Sequence, residues 1–477
     1  MPTNLWSARI GLVALTSAAV GTVAAPAWAA GTGVVTASSA GGNTVNYIAA
    51  SGTVNRVTLT RSGTTIIVDD VVAIKAGAGC TKVKNDKTRV KCTFSGTPNQ
   101  ISVSLGGKND TLADNAGVVL IAHGGAGNDT ITGGTDGDTL YGDDGKDTLY
   151  GRGGRDRLEG GAGADRLYGG ARSDWLYGGS GADLLHGESG NDYLRGNTGD
   201  DSLYGDEGDD QLVQETTADG ADVLNGGSGT DLVNYEGRKT AVVADLDGAK
   251  RDDGSAGEHD SIAKNVENLN GGYGNDVLTG NDTGNRIYGG YQGDDKLYGR
   301  GGADVLNGFG GSDLLDGGSG NDYLMPDAHE YTPEADPDIP HTIAADVIRG
   351  GSGFDAVDYS DREVNPVRAD LTGTPGDDGR EGEGDTVGAD VEEIIGTPFG
   401  DHLIGNASGN VFWGGEGDDV IEGGGGADLL FGQGGDDELS GDDLGTDAAD
   451  QLDGGPNGTL GDLCTVFPGD TTVNCER

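Results

Sequence analysis

Between residues 124 and 213 an aliphatic side chain returns at every ninth position: Ile131, then Leu140, Leu149, Leu158, Leu167, Leu176, Leu185, Leu194, Leu203 and Leu212. Two residues before each stands an aspartate, and a glycine opens every unit from Gly124 to Gly205. A flexible Gly-rich linker has no reason to hold three positions in register over this length, so the pattern predicts a repeat architecture. Upstream the pattern changes. Residues 30–122 alternate apolar and polar in "NRVTLTRSGTTIIVDDVVAI", with Val57 and Leu59 on one face and a turn at "SGTT" into Ile66–Val68, and "TRVKCTF" and "QISVSL" continue it. This predicts a small antiparallel β module. At the start, the apolar run 10–25 follows Arg9 and precedes small residues at Ala27 and Ala29, the signature of an export signal over 1–29. It is shorter than the ~20 residues a membrane-spanning helix needs.

Beyond residue 213 the period loosens and a larger repeat emerges. "GGSGTDLVNY" (226–235) returns as "GGSGFDAVDY" (350–359), and "DSIAKNVENLNG" (260–271) as "DTVGADVEEIIG" (385–396). Each copy then runs into further nonapeptides, and each substitutes one aspartate by Asn, at Asn285 and Asn410, which argues for duplication of a whole module. The expected organisation is therefore an export signal (1–29), an N-terminal β module (30–122) and a first repeat roll (123–213), followed by a connecting module (214–270) and a second repeat block (271–325). An acidic Pro-rich loop (326–349), the duplicated connecting module (350–395), a third repeat block (396–441) and an aperiodic C-terminal cap (442–477) complete it.

The unit resembles the GGxGxDxUx nonapeptide of the RTX (repeats-in-toxin) hemolysin-type calcium-binding family. The resemblance implies an all-β fold, a parallel β-roll solenoid in which two nonapeptides make one turn, GGxGxD forming a loop and xUx a short strand. It also implies several Ca²⁺ ions between loops stacked one turn apart, held by the aspartates. In the first roll these are Asp129, Asp138, Asp147, Asp156, Asp165, Asp174, Asp183, Asp192, Asp201 and Asp210. In the second block they are Asp276, Asp295, Asp304, Asp313 and Asp322, and in the third Asp401, Asp419, Asp428 and Asp437. Members of that family often leave the cell by an uncleaved C-terminal signal, whereas this chain begins with a cleavable one, which sets a toxin role aside.

Charge changes the picture in the same direction. The formal net charge is -50, with 80 acidic residues against 30 basic. Such a surface repels nucleic acid and anionic membranes and attracts cations. Residues 124–213 hold 19 acidic and 7 basic side chains, so a metal-free roll repels itself, and its single aliphatic per unit is a thin core. Calcium takes six to eight oxygens from carboxylates and carbonyls, and glycine lets a loop turn its carbonyls inward. Five loops on each of two columns leave roughly eight gaps for Ca²⁺ in the first roll, and folding and metal binding are expected to be one event. The columns are expected to be unequal. One has Gly127, Gly145, Gly163, Gly181 and Gly199 at the fourth loop position, whereas the other includes Asp136 and Arg172 there, and Arg152, Glu188 and Asp206 at the second.

Four cysteines fall into two close pairs, Cys80 with Cys92 and Cys464 with Cys475. Local disulfides in an oxidising, extracellular space are the expected reading. Catalytic motifs are missing: the six His are scattered, "HEYTP" at 329 lacks the second His of HExxH, and no Ser lies in GxSxG. The expectation is a secreted, non-enzymatic calcium-binding protein with a structural role or an extracellular partner at a cell surface or matrix, and without membrane insertion. The alternative is an extracellular hydrolase with its active site in the duplicated segments 231–270 and 355–395. Tyr141 and Tyr168 are expected to pack on the outside of strands rather than form a sugar platform.

Overall fold

The computed structural model describes residues 31–40, 42–327, 344–360, 365–442, 449–456, 461–467 and 469–475. The expected export signal and residues 328–343 of the expected Pro-rich loop lie outside the described residues.

Strands a few residues long stack in parallel into a β-solenoid of about 18 turns, and no helix occurs among the described residues. The repeat explains the geometry directly. Thr139–Asp144 pairs with Arg157–Ala162, placing Leu140 opposite Leu158, and Thr148–Gly153 pairs with Arg166–Ala171, placing Leu149 opposite Leu167. Partners are 18 residues apart, so two nonapeptides close one turn and alternate units feed opposite sheets. Along each strand side chains alternate inward and outward. In Thr139–Asp144 the inward positions are Leu140 and Gly142, and Tyr141 points out. The inward aliphatics from Ile131 to Leu212 are all fully buried, in one continuous column that runs from Val35 to Leu452.

Between strands the chain turns through a glycine loop that stacks tightly on its neighbour. At Gly163 the backbone is left-handed (φ 141°), and a Cβ there would lie 1.5 Å from the Gly145 carbonyl oxygen one turn away. Only glycine satisfies both the angle and the approach.

One side of the solenoid is a single sheet of 21 strands; the other side is divided into sheets of 12, 7 and 5 strands. The divisions fall at the two duplicated modules. In the first, Ser261–Ile262 closes the 12-stranded sheet and Val242–Asp245 opens the 7-stranded one. In the second, Thr386–Val387 and Arg368–Asp370 do the same for the 7- and 5-stranded sheets. Antiparallel bridges Asp253 to Asp260 and Asp378 to Asp385 tie each enlarged turn together. The long sheet passes both modules without a break, through Leu232–Asn234 and Asn268–Asn270 and then Ala356–Asp358 and Glu393–Ile395.

The antiparallel strands expected near the N-terminus are present. Gly33–Ser38 pairs with Thr44–Ile48, and Arg56–Ser62, Thr65–Asp69, Arg89–Thr93 and Cys80–Lys82 follow one another antiparallel. Cys80 and Cys92 face each other in register and form a disulfide, and Cys464 and Cys475 form the second. Parallel stacking begins before the recognisable repeats, where Gln100–Gly107 pairs with Val119–Ala126.

Candidate metal centre

Nearly every glycine loop ends in an aspartate, so the solenoid carries two columns of aspartates along its two corners. Where the chain leaves the long sheet stand Asp129, Asp147, Asp165, Asp183 and Asp201, then Asp276, Asp295 and Asp313, then Asp401, Asp419 and Asp437. Where it returns stand Asp138, Asp156, Asp174, Asp192 and Asp210, then Asp304 and Asp322, then Asp428. All nineteen are at most 3% exposed. Residues spread over more than 300 positions are thus brought into two lines.

The two carboxylate oxygens of a column residue do different things. Oδ1 accepts the backbone N–H of the column residue one turn earlier: Asp147 from Asp129 at 2.6 Å, Asp165 from Asp147 at 2.7 Å, Asp174 from Asp156 at 2.7 Å. This ties adjacent turns together. Oδ2 is buried, and in fifteen of the nineteen, Asp147, Asp165, Asp192 and Asp313 among them, it finds no hydrogen-bond donor among the described residues. Burial without a partner disfavours the charged form. It pushes Asp129 up to about 6, Asp147 to about 7, Asp192 to about 8 and Asp313 to about 9, with repulsion from neighbouring carboxylates adding to it and the amide hydrogen bond opposing it.

Most of these oxygens lie near a carbonyl oxygen of the adjoining turn. A Cβ placed on Gly142 would lie 2.6 Å from Asp147 Oδ2 and 2.5 Å from the carbonyl oxygen of Gly160. The same pair of a carboxylate and a carbonyl oxygen recurs at Gly124, Gly151, Gly160, Gly169 and Gly178. The donor set is oxygen only, anionic and periodic, and it lacks the imidazole and thiolate ligands preferred by zinc or copper. These residues fit a hard divalent cation of the calcium type.

Several column residues escaped the nine-residue count. Asp110, Asp222, Asp231, Asp260, Asp346, Asp355, Asp450 and Asp462 accept the same one-turn hydrogen bond, from Asn55, Asp201, Asp210, Asp222, Asp313, Asp322, Asp428 and Asp437. Asp231 and Asp355 end complete GGSGxD motifs and were legible in the sequence. The others sit outside the strict spacing, and only stacking aligns them. At one level in each module a longer acid takes over: Asp231 N–H donates to Glu267 Oε2 and Asp355 N–H to Glu392 Oε2, both at 2.9 Å.

The expected inequality of the columns narrows to one residue. Arg172 is left-handed (φ 83°) at the fourth position, as anticipated, but its side chain is exposed and brings no cation into the column. Asp136 is not left-handed. At the second position Asp143 (φ 71°) and Asn197 (φ 69°) on the first column match Arg152, Glu188 and Asp206 on the other.

One aspartate in each duplicated module holds the enlarged turn. Asp253 accepts N–H groups of Asp245 and Ile262 at 2.8 and 2.9 Å, and Asp378 those of Asp370 and Val387 at 2.6 and 2.8 Å. The guanidinium of fully buried Arg238 meets both oxygens of Glu258 at 2.7 Å, and also Ser255 and Asp219. On the outer faces Tyr150, Tyr168, His186 and Tyr204 stack with centroids 4.7–5.4 Å apart and planes within 10°. Each ring covers the next, which is packing on the outside of strands.

The chain matches the family model for the RTX calcium-binding nonapeptide repeat over residues 123–158, 159–194, 186–213, 216–237, 266–290, 290–324, 395–430 and 413–443. No curated protein matches it. With the nonapeptides matched from the first roll to the third, and their loops stacked into columns of buried aspartate, the chain carries RTX calcium-binding nonapeptide repeats.

Proposed function

We propose that this is an exported protein whose solenoid folds as it takes up several Ca²⁺ ions, and that it serves as an extracellular structural or interaction scaffold without enzymatic activity. The observation that carries the reading is the row of buried Oδ2 atoms without donors. Ionising each of them away from water is costly, which is why burial raises these carboxyls, and a divalent cation would relieve that cost.

The column aspartates would hold the ion together with loop carbonyls such as that of Gly160. When bound, calcium would supply the positive charge that the columns of carboxylates lack. The protein's own part is to aim Oδ2 and the carbonyl at one point, to fix Oδ1 on the previous turn, and to let left-handed glycines bring the loops together. Two disulfides agree with an oxidising compartment. Among the described residues no helix is long and apolar enough to cross a membrane. Against an active site in the modules, Asp253 and Asp378 already accept backbone N–H groups and Glu258 already pairs with Arg238, which favours the non-enzymatic reading.

The test is small-angle scattering and far-ultraviolet circular dichroism of the full chain in excess chelator and after adding Ca²⁺. Compaction and a gain of β signal with calcium are expected. Equal compactness in both conditions overturns the proposal.

A further inference from the structure

Five loops use their column side chain differently from the rest. In loops 133–138, 271–276, 280–285, 396–401 and 405–410 the second residue is not left-handed. Its N–H turns inward to the acid or amide of its own loop. Gly134 donates to Asp138 Oδ2 at 2.6 Å, Gly272 to Asp276 Oδ2 at 2.6 Å and Thr397 to Asp401 Oδ2 at 2.5 Å. Asn281 and Asn406 donate to Oδ1 of Asn285 and Asn410 at 2.8 and 2.9 Å. In the regular loops the second residue is left-handed, as at Gly161 (φ 106°) and Arg152 (φ 76°), and Oδ2 of Asp165 and Asp156 has no such donor.

The five share a position. Each is the first loop of its column above a segment that is not a nonapeptide. Oδ1 of Asp138, Asp276 and Asp401 accepts from Leu120, Val242 and Val367, none of them a column acid. Asn285 and Asn410 lie one turn above Glu267 and Glu392. Four of the five also differ in sequence, with glycine at the fifth loop position (Gly137, Gly284, Gly400, Gly409) and a larger residue at the fourth.

We propose that these five loops are calcium-free closures, in which the column side chain replaces the ion by satisfying its own loop. Asp138, Asp276 and Asp401 are then acceptors for an amide and not metal ligands, and calcium in each column begins one turn later. The two Asn members carry the argument furthest. An Asn keeps the acceptor and gives up the charge, so the closure does not need a carboxylate, whereas a site for a divalent cation gains most from one. The inference rests on reading the remaining column aspartates as calcium sites.

Native mass spectrometry of the full chain at increasing Ca²⁺ tests it, with the variant Asp276→Asn/Asp401→Asn beside the control Asp165→Asn/Asp419→Asn. The closure variant is expected to bind as many ions as the unsubstituted chain at every calcium level, and the control to bind fewer where that chain is saturated. A closure variant that loses ions as the control does overturns the inference while leaving the calcium reading intact; an unsubstituted chain that binds none overturns both. Circular dichroism in saturating calcium verifies that each variant is folded. Should the double variant not fold, Asp138→Asn decides by the same count.

Discussion

At the residue scale, the column aspartates make the metal-free fold sensitive to pH in a defined direction. Burial raises Asp147, Asp156, Asp174, Asp201 and Asp210 from 3.8 to about 7. A group with its folded pKa above its unfolded one contributes stability that is complete below the unfolded value and is lost as pH rises through the folded one. The calcium-free chain is therefore expected to be more compact near pH 4 and to expand between about pH 6 and 8, the window in which these groups ionise without a partner. Relief of the whole chain's negative charge on acidification acts in the same direction. Calcium prefers the ionised carboxylates, so the protein saturated with it should show the opposite trend and release ions on acidification. Circular dichroism against pH, with chelator and with calcium, checks both. A chelated chain equally ordered at pH 5 and pH 8 contradicts the assignment of Oδ2 as the orphaned atom.

At the scale of a loop and its strand, the nonapeptide works because each of its positions has one physical duty. The aliphatic enters the core, the aspartate reaches the previous turn, and the glycines permit close stacking. Where glycine holds the fourth position, as at Gly163, the neighbouring turn comes very close. Gly163→Ala places a methyl group 1.5 Å from the Gly145 carbonyl at a left-handed φ. Strain and lost stacking together are expected to cost about 2–4 kcal/mol, read as a lower urea midpoint in calcium. Gly107→Ala, with only the Ala126 carbonyl at ordinary contact distance of 3.6 Å, is the comparison and should cost under about 1 kcal/mol. Equal effects of the two would show that the loops are not packed as described.

At the scale of the molecule, the solenoid is an array in which each turn contacts its neighbours, so stability passes along it turn by turn. The connecting modules are the two places where that array changes character. There one side of the solenoid is interrupted, and at the first of them Arg238 is the internal cation, held by Glu258, Ser255 and Asp219. Arg238→Met leaves two buried acids without their counter-charge and is expected to destabilise the region by about 3–5 kcal/mol. Hydrogen exchange should then show faster opening of residues 214–262, with the first roll between residues 139 and 200 retaining its protection in calcium. Loss of protection spread evenly along the chain would argue against the module as a distinct joint.

Much of this architecture is legible in the amino-acid sequence because a strict period is itself structural information. A nine-residue spacing of Asp and Leu marks a stacked repeat, the resemblance to the RTX nonapeptide implies the two units per turn seen where Leu140 meets Leu158, and the close spacing of the cysteines points to the two pairs that form. The alternation at Val57, Leu59 and Ile66 likewise marks the antiparallel strands. What a count along the chain does not reach is alignment across interruptions. Asp222, Asp260, Asp346 and Asp462 join the columns only because the strands that follow them stack in register, over separations of 21 to 38 residues. The same holds for the loops that close on themselves: Asp276 stands in an ordinary GGYGND motif, yet its Oδ2 takes the amide of Gly272 because no nonapeptide loop lies beneath it. Composition and period by themselves determined that aspartates would line up and that cations would be drawn to them. Which oxygen is left without a donor was decided only by the tertiary structure, since a hydrogen bond depends on what packs one turn away and not on the neighbours in the chain.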